Sequence, residues 1–400
     1  MQCKHFGVCG GCSLPGVPYA EQLLRKQARL AQLLGVPVPP LVPSPREDRF
    51  RSKSAFVFGP AGQGRGLVMG HYARGSKQIV RVDECPVHSD RGNRIAFALR
   101  DRLMRARIYG VGAQRNGLVR HILVRTTADD RQAVAMLVVT RNDKALRTPI
   151  RGLLASADRP DGFFINIHDK PSPYMVGPET IRIDGHSHIK ETIGATSYLV
   201  SPTAFFQTNV GSAREVLNLV IEGVMDKPKG LSPPVAEGLS PPVVLDLYSG
   251  SGLFALPIAQ AGARVTAVEE NRQAVKDAEA NIRLNRIAGG QVRLVCSRVE
   301  DALARLPPQR GCRAGGPVAG DRWDAVVLDP PRQGCPPAVL AGVFETIAPP
   351  RVVYVSCNPE ALAQELPVIL KAGYLVSHLQ AVDMFPHTDH IETVAVFTRR

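Results

Sequence analysis

Three stretches of this chain carry residue types and spacings suited to covalent chemistry. Ser356-Cys357-Asn358-Pro359 follows the apolar run at 352–355. A cysteine at the end of a buried strand, beside a ligand cleft, is well placed as a nucleophile. Standing alone it would read as a packing residue. Its company argues otherwise. Val327-Leu328-Asp329-Pro330-Pro331-Arg332 also ends a predicted strand, and strand C-termini are where α/β sheets hold their ligands. Near the C-terminus, residues 385–393 set His387, Asp389, His390 and Glu392 into a loop ahead of a final strand at 394–398. A thiol with carboxylates nearby suits nucleophilic catalysis assisted by proton transfer, although Glu392 would serve equally as an ion-pair partner.

A second group is Cys3-x5-Cys9-x2-Cys12, interleaved with Gly7, Gly10 and Gly11. Glycine lets the backbone curl, so closely spaced thiols in such a loop converge on one centre. Cys85, in Asp83-Glu84-Cys85-Pro86 after an extended stretch, supplies a fourth thiol. Four thiolates suit an iron–sulfur cluster or structural zinc, and the spacing does not separate the two. A disulfide framework does not fit a chain of 400 residues with no export signal.

A third feature is the strand Val244-Leu245-Asp246-Leu247 running into Tyr248-Ser249-Gly250-Ser251-Gly252. The two glycines permit a tight turn and close approach of a ligand. The next predicted strand ends at Glu269, placed to grip a ribose diol. Ala255 stands where a dinucleotide fingerprint would need its third glycine. D-x-x-x-G-x-G followed by an acid is the pattern of S-adenosylmethionine (SAM)-dependent methyltransferases, with other Rossmann-like binders as the competing reading.

The elements that must position these residues can be read from periodicity. Tyr19–Leu34 has an apolar stripe of Leu23, Leu24, Leu30, Leu33 and Leu34 and ends at Gly35, which predicts a helix. Extended segments follow at 55–58, 66–71 and 79–82, a basic helix at 91–107, and strands at 121–127, 132–140 and 163–168. Residues 230–243 hold a direct repeat of Gly-Leu-Ser-Pro-Pro-Val, read as a duplicated linker. From Val243 strands and helices alternate, with strands at 243–247, 265–269, 292–295, 325–328 and 352–356, as in a doubly wound parallel sheet. The expected fold class is therefore α/β: a C-terminal Rossmann-like methyltransferase domain at 243–400, a basic α+β domain at 1–205 and a connecting helix with a Pro-rich linker at 206–242.

Composition fits this division. Lys plus Arg number 49 against 36 Asp plus Glu, a net charge of +13. Residues 1–200 hold 30 basic against 16 acidic side chains, and residues 201–400 hold 19 against 20. The whole basic excess thus lies in the first half, which predicts a polyanionic partner there. No apolar run approaches the roughly 18–20 residues that cross a bilayer, and the first residues are polar, so a cytoplasmic, non-membrane protein is expected. A monomer is the default expectation.

Taken together, the Cys quartet, Phe205-Phe206-Gln207-Thr208-Asn209, the Gly250-x-Gly252 loop, Asp329-Pro330-Pro331-Arg332, Ser356-Cys357-Asn358-Pro359 and His390-Ile391-Glu392-Thr393 resemble the RNA uridine-C5 methyltransferase family. The resemblance covers nearly the whole chain. It is strongest to the branch that carries a [4Fe-4S] cluster and methylates large-subunit ribosomal RNA. A cluster motif that begins at the third residue, with no preceding OB-type domain, matches the branch modifying uracil 747 of bacterial 23S rRNA. Sibling branches modify another 23S uridine or the T-loop of tRNA, and the bacterial tRNA branch generally lacks the quartet.

The resemblance implies roles. Cys357 would add to C6 of uracil, turning C5 into an enolate-like carbon able to attack the methyl sulfonium of SAM. Glu392 would then remove the C5 proton as general base. Gln207 would contact cofactor and substrate, Tyr248 the adenosylmethionine wall and Glu269 the ribose. Asp329 would orient the uracil edge close to the cofactor. Cys3, Cys9, Cys12 and Cys85 would hold the cluster, as a brace for the RNA-binding domain. The base must leave its stack to reach Cys357, so an unpaired uridine is expected. Ser249 replaces a common Cys of the family, and Leu253 a polar cofactor contact. An exocyclic-amine methyltransferase would favour Asn-Pro-Pro-aromatic at 329–332 and need no thiolate. Cytosine-C5 RNA enzymes usually pair two cysteines. A non-catalytic iron–sulfur RNA-binding protein would have no need of Cys357 and Glu392.

Overall fold

The computed structural model describes residues 2–14, 16–61, 66–112, 117–170, 175–225, 240–306 and 323–400. The Pro-rich repeat falls almost wholly outside these residues, as does Cys312. The first half is built on seven strands: β1 (Lys53–Gly59), β2 (Val68–Tyr72), β3 (Ile79–Arg81), β4 (Val119–Thr126), β5 (Ala133–Val139), β6 (Gly162–Ile167) and β7 (Glu179–Gly185). They form one sheet in the order β3-β2-β1-β4-β5-β6-β7, antiparallel except at the β5–β6 pair. Helices α2 (Asp90–Arg105) and α3 (Arg147–Leu154) cover one face, where Ile95, Leu99, Leu103, Ile150 and Leu153 are buried with the inward residues of β4 and β5. Ser89 caps α2 by accepting from the Gly92 N–H, a satisfied N-terminus of the ordinary kind.

Helix α1 (Tyr19–Leu34) ends at Gly35 in the left-handed conformation, as the sequence predicts. Its buried residues are Gln22, Lys26, Leu30 and Leu34, whereas Leu24 faces solvent. The spacing is helical as expected, but the inward stripe starts with two polar side chains. Both have partners on the C-terminal loop described below.

The second half begins with a hairpin, β8 (Ile189–Ile193) and β9 (Thr196–Val200), and helix α4 (Val210–Met225). The catalytic-type sheet comprises β10 (Val243–Leu247), β11 (Arg264–Glu269), β12 (Val292–Cys296), β13 (Ala325–Leu328), β14 (Arg351–Ser356), β15 (Tyr374–Val382) and β16 (Glu392–Arg399). Its order is β12-β11-β10-β13-β14-β16-β15. Six strands run in one direction, and β16 alone enters antiparallel, between β14 and β15. Helices α5 (Ala255–Gln260), α6 (Arg272–Leu284), α7 (Val299–Arg305), α8 (Pro337–Ala341) and α9 (Pro359–Lys371) make the crossovers. The architecture is α/β with a mixed seven-stranded methyltransferase sheet after a β-rich first half, which agrees with the expected class.

The halves share a core. Leu123, Val134, Met136 and Phe164 of the first sheet belong to the same buried cluster as Tyr198, Val220, Val244 and Val353. Polar ties fix the β8–β9 hairpin to the C-terminal sheet's helices: Leu199 N–H donates to Asn281 Oδ1 (2.7 Å), Ser197 N–H to Asn285 Oδ1 (2.9 Å), and Tyr198 Oη to the Leu253 carbonyl (2.9 Å).

Candidate active site

Sheet topology brings the motif residues to one edge. Leu328 of β13 pairs with Tyr354 of β14, so Asp329 and Cys357 leave the C-terminal ends of adjacent parallel strands. β16 runs the other way, and Ser356 pairs with Thr393. Its first residue, Glu392, therefore starts where the parallel strands stop. Cys357, Asp329 and Glu392, separated by up to 63 positions in the chain, become neighbours for this reason alone.

Electrostatics agree with the proximity. Burial pushes the Cys357 thiol up to about 11, with the charges of Glu392 and Asp329 adding to the effect and Arg332 opposing it. Burial likewise raises Glu392 to about 8, with Asp329 adding and Arg332 opposing. Asp329 is raised to about 7 by burial. Carboxylates held near neutrality, beside a thiol and under an arginine, are poised to exchange protons. The Arg332 carbonyl accepts from Asn358 Nδ2 (2.8 Å), which ties the Asp-Pro-Pro-Arg turn to the cysteine turn.

The glycine turn lies one strand over. Tyr248 and Gly250 have φ of 65° and 56°, and Gly252 has 90°. A Cβ at 252 would strike Leu256 Cδ1, so glycine is required there for both conformation and space. Glu269, at the end of β11, accepts from the Gly250 N–H (2.9 Å) and, through its other oxygen, from the Asn271 N–H (2.7 Å). Its carboxylate thus braces the glycine turn. Tyr248 is half-buried, and its buried hydroxyl has no hydrogen-bond partner among the described residues.

The sequence reading used one residue here only as the first position of D-x-x-x-G-x-G and gave it no role. Asp246 is fully buried in β10, and among the described residues neither carboxylate oxygen has a partner at full hydrogen-bond geometry, the Ala255 N–H being the nearby donor. Burial drives it well above the usual carboxylate range, with the charge of Asp329 adding and the Ala255 N–H opposing. A lone carboxyl inside an apolar strand is costly unless a ligand group uses it. The signal was visible in the sequence: Asp246 is the one polar residue of Val243–Leu247.

Gln207 is half-buried between anchored neighbours. The Thr208 carbonyl accepts from Ser52 N–H (2.7 Å), and Asn209 Nδ2 donates to the Met384 carbonyl (3.0 Å). Phe206 is buried against Tyr198, while Phe205 is 78% exposed.

The four cysteines also converge. Cys3, Cys9, Cys12 and Cys85 are unpaired thiols. Cys9 pairs as an isolated bridge with Ala73, just past β2, and the Gly10 N–H donates to the Tyr72 carbonyl (2.8 Å). The loop is thereby anchored at the C-terminal end of β2. Burial raises Cys9, with the charge of Cys3 adding. Burial raises Cys12 to about 11, with Arg51 opposing and Cys9 and Cys3 adding. Burial raises Cys85 to about 12, with Cys12 adding. Each thiol therefore lies in the field of another. The Nε of Arg51 is buried beside them with no partner among the described residues, and a cation so placed fits an anionic thiolate centre.

Two histidines join this region that sequence reasoning missed. The ligand atoms of His71, Cys85 and His88 lie within 4.8 Å of one another. The imidazole rings flank Phe56, with centroids at 4.9 and 5.0 Å. Burial lowers His71 to about 4 and His88 well below its ordinary value, which keeps both neutral, the form that binds metals. The Cys85-x2-His88 spacing was the available signal; His71 ends a strand and gave none.

A methyltransferase-type sheet with a glycine turn, a thiol and raised carboxylates at its carboxyl edge defines the class as a SAM-dependent methyltransferase. Residues 198–400 match the tRNA (Uracil-5-)-methyltransferase family. An uncharacterized RNA methyltransferase of Gloeobacter violaceus is 31% identical over 98% of this chain and 81% of its own length. One from Geobacter sulfurreducens is 31% identical over 100% of this chain and 77% of its own length. The fold matches that of the Pyrococcus abyssi tRNA (uracil-54, C5)-methyltransferase, solved with S-adenosyl-L-homocysteine, at a TM-score of 0.77 and 24% identity over 98% of this chain and 86% of that one.

The chain belongs to the RNA uracil-5 methyltransferase family. It is a SAM-dependent RNA (uracil-C5) methyltransferase. No helix among the described residues is long and apolar enough to cross a membrane.

Proposed function

We propose that this enzyme methylates C5 of an unpaired uridine of 23S rRNA, the one modified by the uracil-747 branch, through a covalent Cys357 adduct. The observation that carries the covalent reading is the meeting of Cys357, Asp329 and Glu392 at one sheet edge. Cys357 would give up its proton to solvent and add to C6, the C5=C6 π pair moving onto C5 and the C4 carbonyl. C5 would then take the methyl group of SAM, whose CH3–S bond breaks with the pair left on the departing S-adenosyl-L-homocysteine. Glu392 accepts the C5 proton, the electrons of that C–H bond form C5=C6, and the C6–S pair returns to Cys357. Asp329 orients the uracil. Gln207, Tyr248 and Glu269 hold the cofactor, and the orphaned Asp246 and Tyr248 hydroxyl support a ligand in that turn.

We assign Cys3, Cys9, Cys12 and Cys85 as ligands of a [4Fe-4S] cluster. Among the described residues, no three of their sulfurs lie mutually within 4.8 Å. A zinc ion with Zn–S bonds of about 2.3 Å would draw four sulfurs to about 3.8 Å from one another. The close His71–Cys85–His88 set favours a second reading, a zinc ion there. Iron content and absorbance near ~400 nm in anaerobically purified protein, lost in Cys9→Ser, support the cluster, and colourless protein with stoichiometric zinc refutes it.

The quartet favours rRNA, whereas the matched family's description and the Pyrococcus enzyme name tRNA. Mapping 5-methyluridine in both RNAs from a deletion strain decides between them. Cys357→Ala is expected to abolish methylation and the denaturant-stable complex with 5-fluorouridine RNA. Persistent methylation refutes the covalent route.

A further inference from the structure

Residues 385–391 deliver Glu392 to the site, and they are held from the far end of the chain. Ser13 Oγ accepts from the Asp389 N–H (2.8 Å), and the Leu14 N–H donates to the His387 carbonyl (3.0 Å). The Gln22 side chain accepts from the His387 N–H (2.7 Å) and meets His387 Nδ1 at 3.1 Å. His387 Nε2 bonds to the Glu47 carbonyl (2.9 Å), and Phe6 packs on the same ring with centroids at 6.3 Å. Lys26 Nζ donates to the Phe385 carbonyl (3.1 Å), and Arg29 to that of Asp389 (2.8 Å). His387 has a φ of 66°, a conformation that a non-glycine residue keeps only when its surroundings impose it.

Ser13 and Leu14 immediately follow Cys12. The loop that carries Cys3, Cys9 and Cys12 has no helix or strand of its own. Its short backbone bonds join Phe6 to Cys3 and Cys9 to His5. Beyond its contacts with 385–391, its outside anchors include the Gly10–Tyr72 bond, the Cys9–Ala73 bridge, the exposed Lys4–Glu84 ion pair (3.7 Å) and the bonds of Arg74, through its N–H to the Val8 carbonyl (3.3 Å) and through its guanidinium to that of Ser13 (2.9 Å). Such a loop owes much of its order to whatever gathers its thiols. Arg51 adds a second link, with its guanidinium carbon 5.7 Å from the Phe385 ring centre and its backbone bridged to His88.

We propose that the thiol quartet is a remote lock on the general base: a metal centre bound there fixes Ser13 and Leu14, and these fix the loop that presents Glu392. The inference rests on the reading of Cys357 and Glu392 given above. Ser13 and His387 act as positioning residues. Glu392 is needed only to take the C5 proton, which lets the C6–S bond break and return its electron pair to Cys357. Loosening the loop therefore slows release of the methylated base and leaves attack by Cys357 and methyl transfer intact.

The test uses full-length enzyme, SAM and whichever transcript, rRNA or tRNA, proves to be the substrate. Wild type, metal-stripped wild type and metal-loaded Ser13→Ala are compared by denaturing gel and by hydrogen exchange. For Ser13→Ala, decay of the covalent RNA–protein complex is expected to slow by roughly three- to tenfold, the worth of one hydrogen bond, with formation within about twofold of wild type. Exchange at 385–391 rises in the same protein, whose metal content is unchanged. Metal-stripped enzyme shows the same changes, larger. Decay and exchange unaltered in Ser13→Ala overturn the lock, as does equal slowing of formation and decay, which marks a general structural role. Should stripped enzyme unfold, Ser13→Ala decides. If wild type never forms the adduct, the covalent reading itself has failed; if it forms and releases the adduct and Ser13→Ala matches it, only the lock has.

Discussion

At Glu392 the physics of burial sets the conditions of the reaction. In its proposed role as general base Glu392 must be ionised to accept a proton, yet burial holds this carboxyl at about 8, with the charge of Asp329 adding and Arg332 opposing. The thiol of Cys357 is higher still, about 11, and it too must lose a proton. Both requirements have the same sign. Single-turnover release of the methylated RNA is expected to rise with pH through about 8, as Glu392 ionises, and to continue rising more gently above it, as Cys357 does. Arg332 lowers both groups, and its side chain is exposed. Arg332→Gln should therefore move the rise to higher pH with little change in fold stability, because solvent-facing substitutions usually cost within about 0.5 kcal/mol. A pH–rate profile of wild type and variant reads this directly. A limb that stays in place would show that Glu392 does not feel Arg332 in the substrate complex.

The elements explain which parts of the protein were legible beforehand. The strand–turn–acid unit from Val243 to Glu269 was readable because buried parallel strands leave continuous apolar runs, and tight turns demand glycine. Helix α1 was readable to the residue because its period and its Gly35 stop agree. Strand β7 was not, since most of Glu179–Gly185 is exposed at a sheet edge and carries little apolar signal. Strand β15 mixes Ser377, His378 and Gln380 into its pattern and is interrupted by an irregularity between Val376 and His378. Residues whose importance is tertiary also escaped, among them Gln22, Lys26, His71 and His88, whose partners lie far away in the chain or on another strand. The legible turn yields its own prediction. Gly252→Ala forces a Cβ into Leu256 and a side chain onto a φ of 90°. The expected outcome is a loss of roughly 1–3 kcal/mol, felt in stability, in SAM affinity, or shared between them. Thermal unfolding with and without SAM measures both. A variant that keeps wild-type stability and wild-type affinity would mean that the turn relaxes without consequence.

On the scale of the whole molecule, the chain closes on itself, with its first helix against its last loop. The basic excess of the first half is partly spent internally, as Arg91 pairs with Asp161, Arg94 with Asp158 and Arg100 with Asp83. The deepest ion pair, however, joins the two ends. Lys26 Nζ reaches Asp383 Oδ1 at 2.8 Å, with the two side chains only 2% and 0% exposed. Burial lowers Lys26 and the charge of Asp383 opposes that, so the pair is a compromise between desolvation and attraction. The same carboxylate oxygen accepts from the Phe385 N–H (3.0 Å), at the start of the segment that leads to Glu392. Removing the lysine strands a buried carboxylate. Lys26→Met is therefore expected to destabilise the enzyme by about 3–5 kcal/mol. Asp383→Asn in the same background keeps an oxygen for Phe385 and removes the stranded charge, so the double variant should regain much of that loss. Urea denaturation of wild type, both single variants and the double variant forms a thermodynamic cycle. A cost below about 1 kcal/mol for Lys26→Met, or no recovery in the double variant, would show that apolar packing of α1 closes the molecule and that the ion pair merely accompanies it.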